Sequence, residues 1–139
     1  MPVVRSTDAR ITTTPNGTMT TFASPTQGRT TGTALWRVDM TPAASGPYHS
    51  FEAEQIWTVI TGGLTAVIDG DELTATTGDT VVFPADLPRQ VHADPETGFT
   101  AIATAPAGAR AYNPDDITPP DACGLAPRDA ERVLPPWTI

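Results

Sequence analysis

The chain has a single cysteine, no lysine, only 6% aromatic residues and no apolar run longer than about five residues. Each shortage closes off a class of protein. One thiol, Cys123, can form neither an internal disulfide nor a cysteine-based zinc cluster, so stability has to come from packing. It also lies in a proline-rich stretch far from any acid–base pair, which argues against a catalytic thiol. The longest apolar segments, such as Val81-Val82-Phe83-Pro84, fall well short of the roughly 20 residues that a membrane helix needs. The opening residues, Met1 to Ser6, lack the basic start and apolar block of a secretory signal, so a cytoplasmic location without a membrane partner is expected. Basic charge is scarce as well: eight arginines face sixteen acidic residues, giving a net charge of −8 and a pI near 4.4. Such a surface repels phosphate backbones and anionic lipids, and no nucleic-acid partner is expected.

What the sequence does contain is threonine, proline and glycine: 24, 15 and 11 residues of the 139. Proline breaks helices and β-branched threonine suits a pleated surface, so the composition predicts an all-β domain with a single core. Apolar or alternating runs fall near 18–23, 34–41, 55–61, 64–69, 72–76, 80–84, 88–93 and 98–105. Turn residues separate them, among them Asn16-Gly17, Gly62-Gly63, Asp69-Gly70 and Gly78-Asp79. The segment around Asp69-Gly70 predicts a tight hairpin, because that dipeptide accepts the positive φ angles such a turn requires. Strands at this spacing with no intervening helices indicate a sandwich or barrel. An N-terminal arm with strands (1–33) and a proline-rich arm (106–139) flank it. A short helix is conceivable only over residues 127–133, and Trp137 is too costly to leave in water, so the last residues should dock.

Two segments carry a family resemblance. The first runs Gly46-Pro47-Tyr48-His49-Ser50-Phe51-Glu52-Ala53-Glu54-Gln55 and on to Gly62; the second runs from Gly78-Asp79 through Phe83-Pro84 to Arg89. Together they resemble the two motifs of a small single-domain cupin over roughly residues 34–105. The resemblance implies a jelly-roll barrel (a double-stranded β-helix). It also implies a site at the positions where typical cupins hold a metal with three histidines and one glutamate. Here His49 matches the first histidine, but Phe51, Gln55 and Arg89 stand at the other three positions. A permanently charged guanidinium cannot be a metal ligand, so no metal cofactor is expected. The alternative is a divalent ion such as Fe, Mn, Ni or Zn held by His49 and Gln55, with Asp86, Glu52, Glu54 or His92 completing the set. His92 lies three residues beyond Arg89, so alternation sends it to the opposite face.

Without a metal the same positions should still line the barrel mouth. Period two puts Gln55, Trp57 and Val59 on one face and Arg89, Val91 and Ala93 on another, with Trp36, Val38 and Met40 as an apolar wall. The reading assigns His49, Arg89 and Gln55 to catalysis, and Tyr48, Phe51, Trp57, Trp36 and Met40 to substrate contact. Apolar walls with a few orienting polar groups suit a small molecule that is partly apolar and carries a carboxylate, oxyanion or enolisable carbonyl for Arg89.

Three function classes follow from the resemblance and these residues. The first is a metal-independent isomerase, cyclase or lyase of polyketide-like secondary metabolism, in which His49, with an ordinary pKa near 6.5, moves a proton while Arg89 and Gln55 stabilise an oxyanion. The second is a metal-dependent dioxygenase or lyase, and the third a module that binds a small acid without turning it over. Both faces of the 55–61 strand are apolar, with Ile56 and Ile60 opposite Trp57 and Val59, so a homodimer is expected to cover the outer one.

Overall fold

The computed structural model describes residues 3–114 and 132–139. Ten strands account for most of them: β1 Arg10–Thr14, β2 Gly17–Ala23, β3 Thr33–Met40, β4 Ser50–Phe51, β5 Gln55–Ile68, β6 Asp71–Thr76, β7 Thr80–Phe83, β8 Arg89–Ala93, β9 Phe99–Pro106 and β10 Ala111–Tyr112. Two single-turn 3-10 helices, Ser6–Asp8 and Pro136–Thr138, complete the set. Among the described residues no helix is long and apolar enough to cross a membrane.

The strands curl into a jelly roll. One sheet runs β1-β2-β3-β9-β5 with β7 on the far side of β5, and the distal half of β5 pairs with β6 and β8 to form the second. All these pairings are antiparallel. Alternation decides what points inward: Ala34, Trp36, Val38 and Met40 from β3, and Phe99, Ala101, Ala103 and Ala105 from β9, are all buried. Ala103 lies between Trp36 and Trp57 in the register, so the small residue on the central strand leaves room for the two large rings beside it.

The hairpin at Asp69-Gly70 forms as the sequence predicts, with φ of 48° and 86° at the two turn residues. The Gly62-Gly63 pair does something different from the turn it suggests. β5 runs straight through it as one strand of 14 residues and passes there from the first sheet to the second. Gly62 sits at φ 75°, and a Cβ on it would overlap the Gly98 carbonyl, so glycine is what lets the strand bend and the two chains approach. At the other motif turn Asp79 accepts hydrogen bonds from the backbone N–H and hydroxyl of Thr76 at 2.9 and 3.3 Å, which closes the β6–β7 connection.

The sheet also begins earlier than residue 34. β1 and β2 are full members of it, and β1 escapes sequence reading because its alternation is carried by threonines rather than by apolar side chains. The helix considered at 127–133 and Cys123 lie outside the described residues, apart from Arg132 and Val133. Val133 forms a backbone bridge with Ala111. Trp137 does dock, with 6% of its surface exposed.

Candidate functional site

His49 and Arg89, forty residues apart, become neighbours through backbone pairing. The segment before β4 runs antiparallel to β8, and the two residues exchange N–H to C=O bonds of 3.0 and 2.8 Å. Gln55 at the start of β5 reaches the same point from the first sheet: its Oε1 accepts from Arg89 Nη2 at 2.6 Å and from Trp57 Nε1 at 3.1 Å. These side chains line a cavity of about 70 Å³ whose walls include Trp36, Val38, Met40, Phe51, Trp57 and Val91. The cavity therefore gathers His49, Gln55, Arg89, Phe51, Trp57, Trp36 and Met40. Tyr48 is not among its lining residues, because His49 takes the inward position and the adjacent side chain is turned away.

Arg89 is the unusual member. Only 3% of it is exposed, and the ion pairs formed by the described residues, Arg37 with Asp39 and Arg132 with Glu52, lie elsewhere. Two acidic residues of the motif segments, Asp86 and Glu54, are also occupied or outward: Asp86 accepts from the Tyr112 hydroxyl at 2.6 Å, and Glu54 is exposed. In place of a counter-ion the guanidinium lies over two rings, its central carbon 4.3 Å from the centre of Phe51 and 4.5 Å from that of Phe83. Its Nε and Nη1 have no hydrogen-bond partner among the described residues. Burial pushes its pKa down from 12.5 to about 9, which still leaves it charged at neutral pH.

His49 corrects the sequence expectation of an ordinary imidazole. Burial, then the positive charge of Arg89, push its pKa from 6.5 down to about 3, against a smaller upward pull from the Pro47 carbonyl. The ring is neutral at physiological pH. Its Nδ1 is 2.7 Å from the Pro47 carbonyl, which can only accept, so Nδ1 carries the hydrogen and Nε2 is the free acceptor. The ring meets Phe51 edge-on, with centres 4.7 Å apart.

This donor set does not fit a divalent cation. The amide oxygen that a metal would need from Gln55 is taken up by a guanidinium at 2.6 Å, and that guanidinium would itself repel the ion. Among the described residues no group of three His, Cys, Asp or Glu side chains converges. Glu52 is held by Arg132 at 2.8 Å, and His92 faces away from the cavity, with Nδ1 2.7 Å from the Ser45 hydroxyl. What the arrangement offers is a buried positive charge with spare donors, a neutral acceptor nitrogen and apolar walls.

Sequence reasoning missed part of this cavity. Met19 and the β1–β2 hairpin, with Thr14, Asn16 and Gly17, line it, and so does Trp137 from the other end of the chain. The apolar character of Met19 and Trp137 was visible, but only the fold says which cavity they close. Phe83 stands in an apolar run of the sequence, and only the fold makes it the second ring on Arg89.

Among the described residues the jelly roll encloses a buried, polar-tipped cavity between its sheets. The Cupin domain family model matches residues 36–103, and with this barrel it places the chain in the cupin family. No curated protein sequence matches the chain. Among solved structures, the polyketide cyclase RemF from Streptomyces resistomycificus is similar at TM-score 0.65 and 20% identity, over 76% of this chain and 79% of that one. An RmlC-like cupin from Shewanella frigidimarina aligns with TM-score 0.65 and 17% identity, over 76% and 90% of the two chains. KdgF from Halomonas sp. aligns with TM-score 0.63 and 19% identity, over 75% and 91%. At these identities the likeness carries the fold, and the chemistry has to be argued from the cavity.

Proposed function

We propose that this cupin is a metal-independent enzyme of the isomerase, cyclase or lyase type, acting on a compact, partly apolar organic anion. The observation that carries the reading is Arg89: a buried guanidinium with no counter-ion and two unpartnered nitrogens among the described residues. Burying an isolated charge is costly, and a carboxylate or enolate seated on Nε and Nη1 would supply both the missing charge and the missing hydrogen bonds. The apolar remainder of the ligand packs against Trp36, Trp57 and Met40. A cavity of about 70 Å³ favours a short-chain acid over a polyketide-sized substrate, whose pockets run to roughly 300 Å³ or more.

His49 Nε2 is the group available to take a proton from such a ligand. Free, it is a weak base, because burial and Arg89 both disfavour the imidazolium. An anion on Arg89 cancels the second cause, so ligand binding itself makes the histidine more basic. Arg89 then holds the developing oxyanion, and Gln55 Oε1 holds Arg89 in place. A second reading, capture without turnover, is favoured by the same depressed histidine: if the bound anion leaves it neutral, the ring is only a hydrogen-bond acceptor.

The two readings part in D2O. With pyruvate, 2-oxobutyrate and acetoacetate as probes, the enzyme reading predicts deuterium incorporation next to the ketone above the buffer rate, lost in His49→Gln with binding retained. Binding of any probe without exchange supports the capture reading. Elemental analysis of tag-free protein, after separate additions of Mn, Fe, Ni, Cu and Zn, checks metal independence, and near-stoichiometric metal would overturn it. The outer face of β5 and β7 carries Ile56, Ile60 and Val82, exposed by 37%, 45% and 50%, with Ile56 paired to Val82. This supports a homodimer that covers them.

A further inference from the structure

We infer that Trp137 sets the size of the anion this cavity accepts, acting as a wall that segment 133–139 lays across the barrel mouth. The inference rests on the ligand reading above for the anionic head and on the geometry of the segment for the limit on its bulk. Trp137 lies 34 residues beyond the part of the chain matched to the cupin family, yet it lines the same cavity as His49, Gln55 and Arg89.

What holds the segment in place is its backbone. The Thr21 hydroxyl donates to the Trp137 carbonyl at 2.8 Å. The Ile139 carbonyl oxygen accepts from Arg10 Nη2 at 2.7 Å, from the Ser24 hydroxyl at 2.5 Å and from the Thr26 hydroxyl at 2.6 Å. Thr138 closes its own turn onto the Pro135 carbonyl at 3.0 Å, and Val133 and Ala111 exchange two backbone bonds of 2.8 Å. None of these contacts uses the indole. No hydrogen bond among the described residues holds the ring, so the side chain can be shortened while the segment stays docked.

The anchors come from β1, β2 and the loop after them, and the same hairpin contributes Thr14, Gly17 and Met19 to the cavity. Hairpin and segment thus form one wall, and the indole is its largest side chain. An apolar cavity on the order of 150 Å³ holds benzene, whereas this one measures about 70 Å³ with the indole in place. A branched or aromatic acid is excluded by that ring, and a short linear acid is admitted.

The test measures affinities by calorimetry for propionate, butyrate, benzoate and phenylacetate, and for the neutral probes benzyl alcohol and indole, on wild type, Trp137→Ala and Trp137→Leu. The wild type should bind the short acids and reject the aromatic ones. Both variants should reverse that order, with phenylacetate gaining at least tenfold relative to propionate, and the neutral aromatics should bind the variants only. Should Trp137→Ala not fold, Trp137→Leu alone decides. An unchanged order of affinities, or neutral aromatics that bind wild type and variants alike, overturns the role of Trp137. If the neutral probes show the switch while no carboxylate binds any form, the size wall stands and the anion reading falls.

Discussion

Replacing Arg89 with methionine separates a binding group from a structural one. The side chain is 3% exposed and burial alone lowers its pKa from 12.5 to about 9, equivalent to ~5 kcal/mol against the charged form. Offsetting this are two ring contacts at about 0.5–2 kcal/mol each and one charge-assisted hydrogen bond to Gln55 at about 1.5–3 kcal/mol. The two sides nearly cancel, and methionine restores apolar packing against Phe51 and Phe83. Gln55 is not orphaned, because its Oε1 keeps the 3.1 Å bond from Trp57. The backbone bonds between residues 49 and 89 are untouched. The ligand-free R89M protein should therefore stay within about 2.5 kcal/mol of wild type in either direction, a change in Tm of no more than about 10 °C for a chain of this length. Calorimetric melting with and without a saturating short-chain carboxylate reads both halves. The wild type should gain about 2.7 kcal/mol at a hundredfold excess over Kd, and R89M nothing. If ligand-free R89M loses 3–5 kcal/mol, as buried ion pairs do when one partner is removed, Arg89 is a structural residue and the reasoning fails.

Acid should unfold this protein through His49. Its pKa is 6.5 when exposed and about 3 when buried, so below pH 6.5 the unfolded chain binds a proton that the folded one does not. That contribution is whole above pH 6.5 and is lost as pH falls towards 3; relative to His49→Asn, wild type should lose roughly 3 kcal/mol between about pH 7 and pH 4 in urea titrations. Parallel curves for the two proteins would contradict the burial argument. Gly62→Ala puts a Cβ against the Gly98 carbonyl at a φ of 75° and should cost more than about 2 kcal/mol in the same assay; a loss under about 0.5 kcal/mol would show that the bend in β5 is not constrained. Ile56→Glu should convert a dimer sedimenting at twice 14.6 kDa into a monomer, and a wild type that is already monomeric removes the dimer.

Much of the fold was legible because its signals are local. Alternation in 34–41 and 98–105 is a property of adjacent residues, and it predicts β3 and β9 with their inward faces; Asp69-Gly70 specifies its own turn. Gly78-Asp79 and Gly62 marked the family before any contact was known, and inward placement of His49, Gln55 and Arg89 follows from strand period. By itself, then, the sequence determined an all-β cupin with a polar cluster inside it.

Other features belong to the tertiary structure alone. A Gly-Gly pair reads the same whether the chain turns or passes from one sheet to another, and the closeness of Gly98 decides between them. An ordinary histidine became a neutral one because burial and a neighbouring charge are properties of the assembled barrel. Arg89 could have met Asp86 or Glu54, and only packing shows it over two phenylalanines with nitrogens to spare. Trp137 had to be buried somewhere; that it closes the cavity of His49 and Arg89 depends on contacts spanning more than a hundred residues, which no local pattern encodes.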